Sequence, residues 1–308
     1  MGKFHIHNLS SIGIADFTAI CDKDEDAVKA LSAQYGVKGF TDYRKFLSVV
    51  DAVVVVVPTF LHYRFASEAL EAGKHVLLEK PMTKTVYFAE KLIEMAAKKE
   101  VVLQVGHVER FNPAVQELHN IVKDPYLIQV QRLGPKSRIR DVGVVLDLMI
   151  HDIDIVMSVA NSEVADVSAY GKRIYSGFED VATANLYFRN GAVANITSSR
   201  VTENKLRTLA VSQEGSYVSL DFATQEITIV RQPQSNSIVQ KEEIKYKQES
   251  LVEKVMVHKD NALLLEQKHF IECIQNKRTP IHTPQENLEA MKIAKQITEK
   301  IYTGWHLL

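Results

Sequence analysis

Two short stretches of this sequence hold residues whose types and spacing could do chemistry. Along Gly143-Val-Val-Leu-Asp147-Leu-Met-Ile-His151-Asp-Ile-Asp154, the residues Asp147, His151, Asp154 and Ser158 recur at i, i+4, i+7 and i+11. On a helix that spacing stacks them along one face. The rest of the segment is apolar, so the helix is expected to be largely buried, and its ionisable stripe then faces either solvent or a functional cleft. Histidine, with an ordinary pKa of ~6.5, suits proton exchange with a hydroxyl near neutral pH. Asp147, one turn earlier, would orient the imidazole or hold a neighbouring substrate hydroxyl. The second stretch is Glu79-Lys80-Pro81, where Lys80 stands between an apolar run and a proline. A lysine there is either a solvated strand end or a cation able to stabilise a developing alkoxide. Near His151, it would also oppose protonation of the imidazole and keep it available as a base. A lysine, an aspartate and a histidine together describe alcohol oxidation without a metal. A zinc site built from Asp147, His151 and Asp154 lacks His or Cys partners at ligand spacing.

The elements that must position these groups fall into two rhythms. Up to about residue 105, short β-rich runs alternate with helical patterns. Strands are expected at 14–21, 51–57, 75–78 and 101–105, the second a valine run of the kind buried on both faces of a parallel sheet. Asp24 can cap a helix ending at Gly36, Thr59 a helix through Leu70 with Gly73 as its terminator, and Thr83 or Thr85 a third. This βαβαβ pattern predicts a Rossmann-like, doubly wound parallel sheet with right-handed crossovers. In such a sheet ligands bind outside the carboxyl ends of the strands. The residues there are Asp22, Pro58-Thr59, Glu79-Lys80 and Gly106-His107. Asp22 suits the paired ribose hydroxyls of NAD and would repel the 2′-phosphate of NADP; it equally reads as a turn carboxylate in the acidic cluster Asp22, Asp24, Glu25 and Asp26.

After a helical segment at 112–122 the pattern changes. Strands are expected at 126–133, 164–175, 181–188, 192–199, 206–212, 217–220 and 226–231, with Asn190-Gly191 as a hairpin turn. Helices are expected at 144–160, 260–276 and 285–302. The chain is therefore read as two domains, 1–120 for the dinucleotide and 121–308 as an α+β domain with a mainly antiparallel open sheet. A length of 308 residues agrees, at ~150 residues per domain.

Charge and composition exclude other classes. With 37 Lys+Arg against 38 Asp+Glu, the net charge of −1 argues against a nucleic-acid or anionic-membrane binder. No apolar run approaches the ~20 residues that span a bilayer, and no apolar signal segment opens the chain. The two cysteines, Cys21 and Cys273, form neither a CxxC pair nor a disulfide framework, which fits the cytoplasm.

Taken in order, Glu79-Lys80-Pro81, then Gly106-His-Val-Glu-Arg110-Phe-Asn112-Pro113, then the Asp147…His151 helix resemble the glucose–fructose oxidoreductase/inositol dehydrogenase/MocA family over essentially the whole chain. The resemblance implies an NAD(P)-binding Rossmann domain and a second domain whose sheet covers substrate and often forms a dimer interface. It implies that Lys80 polarises the reacting hydroxyl, that His151 accepts its proton, and that Asp147 contacts both substrate and His151. It places Gly2, Asp22, Pro58, Thr59, His62, Glu79 and Lys80 at the cofactor, and His107, Arg110 and Asp147 at the substrate. Arg110 would alternatively pair with Glu109 or Glu117. Within the family, the strings GHVERFNPAV and GVVLDLMIHDID are similar to members that oxidise the 3-hydroxyl of UDP-N-acetylglucosamine; inositol and UDP-sugar-acid dehydrogenases share the scaffold, and a non-catalytic dinucleotide sensor is the alternative from another class. A small sugar or nucleotide-sugar substrate and a homo-oligomer, dimer or tetramer, are expected, with no nucleic-acid, membrane or metal partner.

One departure stands out. A dinucleotide-binding domain should begin with a strand and GxGxxG, whereas Met1-Gly2-Lys3-Phe4-His5 matches only the tail, with Gly2 as the third glycine. The expectation is that Met1 is internal to the natural protein and that roughly 10–12 residues, one strand and a turn, precede it.

Overall fold

The computed structural model describes residues 1–136, 142–231, 239–241, 244–246 and 251–305. The chain divides into two compact units, Met1–Phe111 with Asn261–Lys292, and Asn112–Asp260 with Ile293–Leu308.

The first unit begins with α1 (Gly2–Leu9), followed by β1 (Ala19–Cys21), α2 (Glu25–Tyr35), β2 (Lys38–Phe40), α3 (Tyr43–Leu47) and β3 (Ala52–Val55). Then come α4 (His62–Glu71), β4 (His75–Glu79), α5 (Val86–Lys99) and β5 (Leu103–Gly106). Helix α2 starts and stops where its capping chemistry directs. The Asp24 carboxylate accepts from the Asp26 and Ala27 amides, and Gly36 takes the left-handed conformation at φ +67°. Thr85, rather than Thr83, caps α5. Thr59 caps nothing; it opens a 3-10 turn, Thr59–Leu61, that leads into α4.

Strands β3, β4 and β5 pair in parallel in that order, and β1 pairs with β2 in parallel as a separate two-stranded sheet. The single continuous parallel sheet expected of this half is thus seen as two pieces, since no described strand pairs with both β1 and β3. The valine run is also less enclosed than expected. β3 is an edge strand and alternates half-buried with buried residues, while β4 and β5, with Leu77, Leu78 and Val105, carry the enclosed core.

The second unit contains α6 (Pro113–Ile121), β6 (Leu127–Leu133), α7 (Ile150–Ala160), β7 (Val164–Lys172), β8 (Val181–Phe188) and β9 (Val193–Ser199). It continues with β10 (Leu206–Gln213), β11 (Ser216–Asp221), β12 (Glu226–Arg231), β13 (Val239–Lys241), β14 (Ile244–Tyr246) and β15 (Leu251–Val255). Eight strands form one sheet in the order β15-β12-β11-β10-β6-β9-β8-β7, antiparallel throughout except for the parallel pair β6 and β9. Its strands alternate buried and more open residues, as a sheet with one covered face must. Ile150, Ile153 and Val156 of α7 join Ile128, Leu186 and Ile196 in its core.

The two compact units do not follow a single cut in the sequence. The first unit closes at Phe111, and α8 (Ala262–Gln275) returns to it, while α9 (Pro284–Trp305) spans the second division. The reason is polar as well as apolar. Gln104 of β5 donates to the Glu266 carbonyl, and Gln267 reaches the His5 ring, so α8 closes hydrogen bonds buried inside the first unit. Among the described residues, no helix is long and apolar enough to cross a membrane.

The second unit is pinned by a buried ion pair. Arg200 Nε donates to Asp180 Oδ1 at 2.8 Å, while its Nη1 and Nη2 donate to the Val142 carbonyl and the Ser176 hydroxyl. The other carboxylate oxygen accepts from the amides of Ile174, Tyr175 and Ser176. Burial alone would raise the Asp180 carboxyl, but these amides and the Ser176 side chain hold it well below the usual carboxylate range. Its stabilising effect is therefore complete above the unfolded value of ~3.9 and is lost as pH falls below that toward the depressed folded value. Asp180→Asn is expected to cost about 3–5 kcal/mol in urea unfolding at neutral pH, with the gap from wild type narrowing below about pH 4.

Candidate active site

In the first unit the chemistry-bearing residues collect at the carboxyl ends of β1, β3, β4 and β5. Strand β4 delivers Glu79 buried and Lys80 half-buried. Glu79 Oε1 lies 2.7 Å from His5 Nε2, and Oε2 accepts from the Lys80 amide at 3.2 Å. Burial would push this carboxyl up; the His5 hydrogen bond, together with the charge and amide of Lys80, outweighs it and holds Glu79 below its ordinary value.

Behind Lys80 stands His62, at the start of α4. Its Nδ1 lies 2.7 Å from the Pro81 carbonyl and its Nε2 2.9 Å from the Val57 carbonyl. The ring therefore ties the turn after β4 to the turn after β3. Burial lowers its pKa despite both carbonyls. The neutral ring that burial favours donates to one of these carbonyls, and both oxygens of Glu79 accept from within the protein, so these side chains brace the turns that carry Pro58, Thr59 and Lys80.

Asp22 is exposed past the end of β1, and its Oδ1 accepts from the Asp24 amide at 3.0 Å. Gly2 opens α1, which has no side-chain cap, and only open space surrounds the position a Cβ would take. His107 and Arg110 are buried in the turn after β5, where the Arg110 amide donates to the His107 carbonyl.

In the second unit, the expected helix 144–160 is a compound element. A π-helical turn, Val145–Met149, precedes α7 and carries Asp147, while His151 and Asp154 lie on α7 itself. Asp147 is 4% exposed, His151 8% and Asp154 3%. The stripe therefore does not open broadly to solvent. Ser158, at its far end, is half-buried and bonds back to the Ile155 carbonyl.

Two contacts that periodicity did not announce hold this element. Arg132 of β6 meets Asp152 through Nε at 3.0 Å and Nη2 at 2.7 Å, both side chains buried, which fixes the rotation of α7 about its axis. Glu179 holds the π-turn: its Oε1 accepts from the Val145 amide at 3.2 Å, its carbonyl from the Val144 amide at 3.0 Å, and its Oε2 from the Tyr302 hydroxyl at 2.7 Å. The Glu179 carboxyl occupies the space where a Cβ on residue 143 would project, so any side chain there displaces that carboxyl. Tyr302 in turn is pushed up to about 12, by burial and then by the Glu179 carboxylate. A carboxylate off the Asp147, His151 and Asp154 stripe, as Asp152 is, was the signal in the sequence for such a brace. Among the described residues, no three His, Cys, Asp or Glu side chains gather where a metal ion could be held.

Residues 1–107 match the model of an oxidoreductase family with an NAD-binding Rossmann fold, and residues 124–218 match the C-terminal domain of the same family. The UDP-N-acetylglucosamine 3-dehydrogenase of Acidithiobacillus ferrooxidans is 34% identical over 231 residues, covering 74% of this chain and 73% of the relative. The chain belongs to the glucose–fructose oxidoreductase/inositol dehydrogenase/MocA family. Within that family, the scyllo-inositol 2-dehydrogenase (NAD(+)) of Bacillus subtilis is 26% identical over 305 residues, covering 92% of this chain and 86% of its own. A crystal structure of the Acidithiobacillus ferrooxidans enzyme GnnA superposes with a TM-score of 0.88 at 29% identity, covering 98% of this chain and 94% of that one. This family member is accordingly an NAD-dependent dehydrogenase with a Rossmann-like parallel domain and an antiparallel open-sheet domain.

Gly143→Ala drives a methyl group into the Glu179 carboxylate. It is expected to cost about 1–3 kcal/mol in urea unfolding and to lower the Tyr302 pKa as the Glu179 contact loosens, read by NMR of labelled tyrosine.

Proposed function

We propose that the chain oxidises a secondary alcohol of a sugar nucleotide, the 3-hydroxyl of UDP-N-acetylglucosamine, with NAD as oxidant. The observation that carries this reading is the buried Asp147 and His151 pair, set on a braced π-turn and helix in the substrate domain of a dehydrogenase family. A π-turn inside a helix recurs at functional sites, and a buried acid beside a histidine has no ready purpose in packing. The likeness to a UDP-N-acetylglucosamine 3-dehydrogenase over 74% of the chain supports the substrate.

In this reading His151 takes the hydroxyl proton, and Asp147 orients the ring and touches the sugar. Lys80 holds its ammonium against the oxygen as negative charge develops there. His107 and Arg110 contact the substrate. Toward the cofactor, the first unit offers what NAD needs. Asp22 is an exposed carboxylate with acceptor capacity beyond its one turn contact, suited to ribose hydroxyls and repellent to a 2′-phosphate. The uncapped N-terminus of α1 at Gly2 suits a pyrophosphate, and Pro58 and Thr59 line the turn after β3. When bound, NAD supplies the hydride acceptor. The free thiols Cys21 and Cys273 support a cytoplasmic setting. Tyr170 and Tyr187, exposed on β7 and β8, support a homo-oligomer formed through the sheet.

NADH formation is expected with UDP-N-acetylglucosamine and much less with UDP-glucose, myo-inositol or scyllo-inositol. Lys80→Ala and His151→Ala are each expected to lower kcat by about 10²–10⁴-fold while leaving NAD affinity within about threefold. Because both are assigned to the same hydroxyl, the double variant should be far less impaired than the product of the single losses. Preferred turnover of an inositol would reassign the substrate, and loss of NAD binding in both variants would overturn the separate roles.

A further inference from the structure

The turn that carries Lys80 is tied to α8 through a chain of hydrogen bonds whose polarity one atom decides. The Gln267 side-chain nitrogen lies 3.3 Å from the His5 carbonyl and 2.8 Å from His5 Nδ1. A carbonyl oxygen only accepts, so the Gln267 group facing it is the NH2. That same group then donates to Nδ1, which makes Nδ1 the acceptor nitrogen and places the single ring proton on Nε2. The Nε2 proton points at Glu79 Oε1, 2.7 Å away, and Glu79 Oε2 accepts from the Lys80 amide. Read from end to end, a backbone carbonyl on α1 determines that Glu79 receives hydrogen bonds on both oxygens, which favour its ionised form.

The members are deeply buried. Gln267 is 0% exposed and His5 2%. Glu266, beside Gln267 on α8, is also fully buried, and among the described residues neither of its carboxyl oxygens has a hydrogen-bond partner. Burial, and then the charge of Glu79, push the Glu266 carboxyl well above its ordinary range, which favours its neutral form. The one carboxylate charge in this cluster therefore resides on Glu79, next to Lys80.

We propose that Gln267 and His5 are positioning residues for Lys80, fixing the ring tautomer that keeps Glu79 a carboxylate aimed at the Lys80 main chain, so that the lysine is presented to the reacting oxygen in one geometry. The proposal rests on the role given to Lys80 above. If Nδ1 loses its donor, the ring is free to exchange tautomers and turn a lone pair toward Glu79. The Lys80 turn then loses its fixed partner.

The test uses the full chain with nitrogen-labelled histidine, and the variants Gln267→Met, which keeps length without a donor, and Gln267→Glu, which replaces the donor with an acceptor. In the wild type the His5 spectrum is expected to show a protonated Nε2 and an unprotonated Nδ1. In Gln267→Met a mixture is expected, and in Gln267→Glu a protonated Nδ1. Both variants are expected to lose about tenfold in kcat, with the KM for NAD within about twofold of wild type. A wild-type His5 protonated on Nδ1 overturns the proposal without any variant. An active wild type beside a Gln267→Met variant of equal kcat overturns the proposal alone. A wild type inactive on every alcohol tried overturns the reading on which it rests.

Discussion

A carboxylate can be buried at tolerable cost only when its oxygens meet donors, and Glu79 is where this chain meets that constraint. Strand β4 lies inside a parallel sheet and ends in an ionised side chain rather than in water. Everything around it supplies donors: the His5 ring on one oxygen, and the amide of the very next residue on the other. The histidine needs its own second partner, and α8 provides it through Gln267. The return of residues 261–292 to the first unit is thus more than apolar packing. Had the chain continued without α8, a buried polar network would have been left half satisfied, which is worse than an apolar core.

The second unit solves the same problem with charge pairs. Asp152 lies on the most enclosed helix, and a carboxylate there is tolerated because Arg132 meets it with two nitrogens. Asp180 is tolerated because Arg200 and three backbone amides surround it. Such pairs add little net stability over a well-packed apolar alternative, yet breaking one is costly. Their effect here is geometric. Arg132 fixes the rotation of α7, and the Glu179 carboxyl, filling the space above Gly143, fixes the start of the π-turn. Asp147 and His151 are then left with little freedom, as the role proposed for them requires.

What could be read from the sequence follows from the range over which each signal acts. Capping is local, so Asp24 and Gly36 bounded α2 to the residue, and strands 181–188 and 226–231 were legible from alternation alone. Asn190-Gly191 marked a turn, and Gly191 sits at φ +88°. Thr59 misled because a 3-10 turn took the place of a capped helix start. The stripe of Asp147, His151 and Asp154 was found through its spacing, but the π-turn beneath Asp147 was not, since a single turn of altered pitch leaves no periodicity. Nor could periodicity show that His62 and Glu79 turn inward. Their partners are a carbonyl 19 residues away and a histidine 74 away in sequence.

The distribution of these braces bears on why one scaffold can serve different alcohols. Glu79, His5, Gln267, Asp152, Arg132 and Glu179 all act on backbone turns or helix orientation, so they constrain where Lys80, Asp147 and His151 stand within their own units. None of them needs to touch a substrate to do so. Substrate choice can then change through residues that carry no buried charge, at little risk to the fold, whereas altering a brace strands a polar group in the core at a cost of about 1–3 kcal/mol or more. A chain 34% identical to a UDP-N-acetylglucosamine 3-dehydrogenase and 26% identical to a scyllo-inositol 2-dehydrogenase fits such a division.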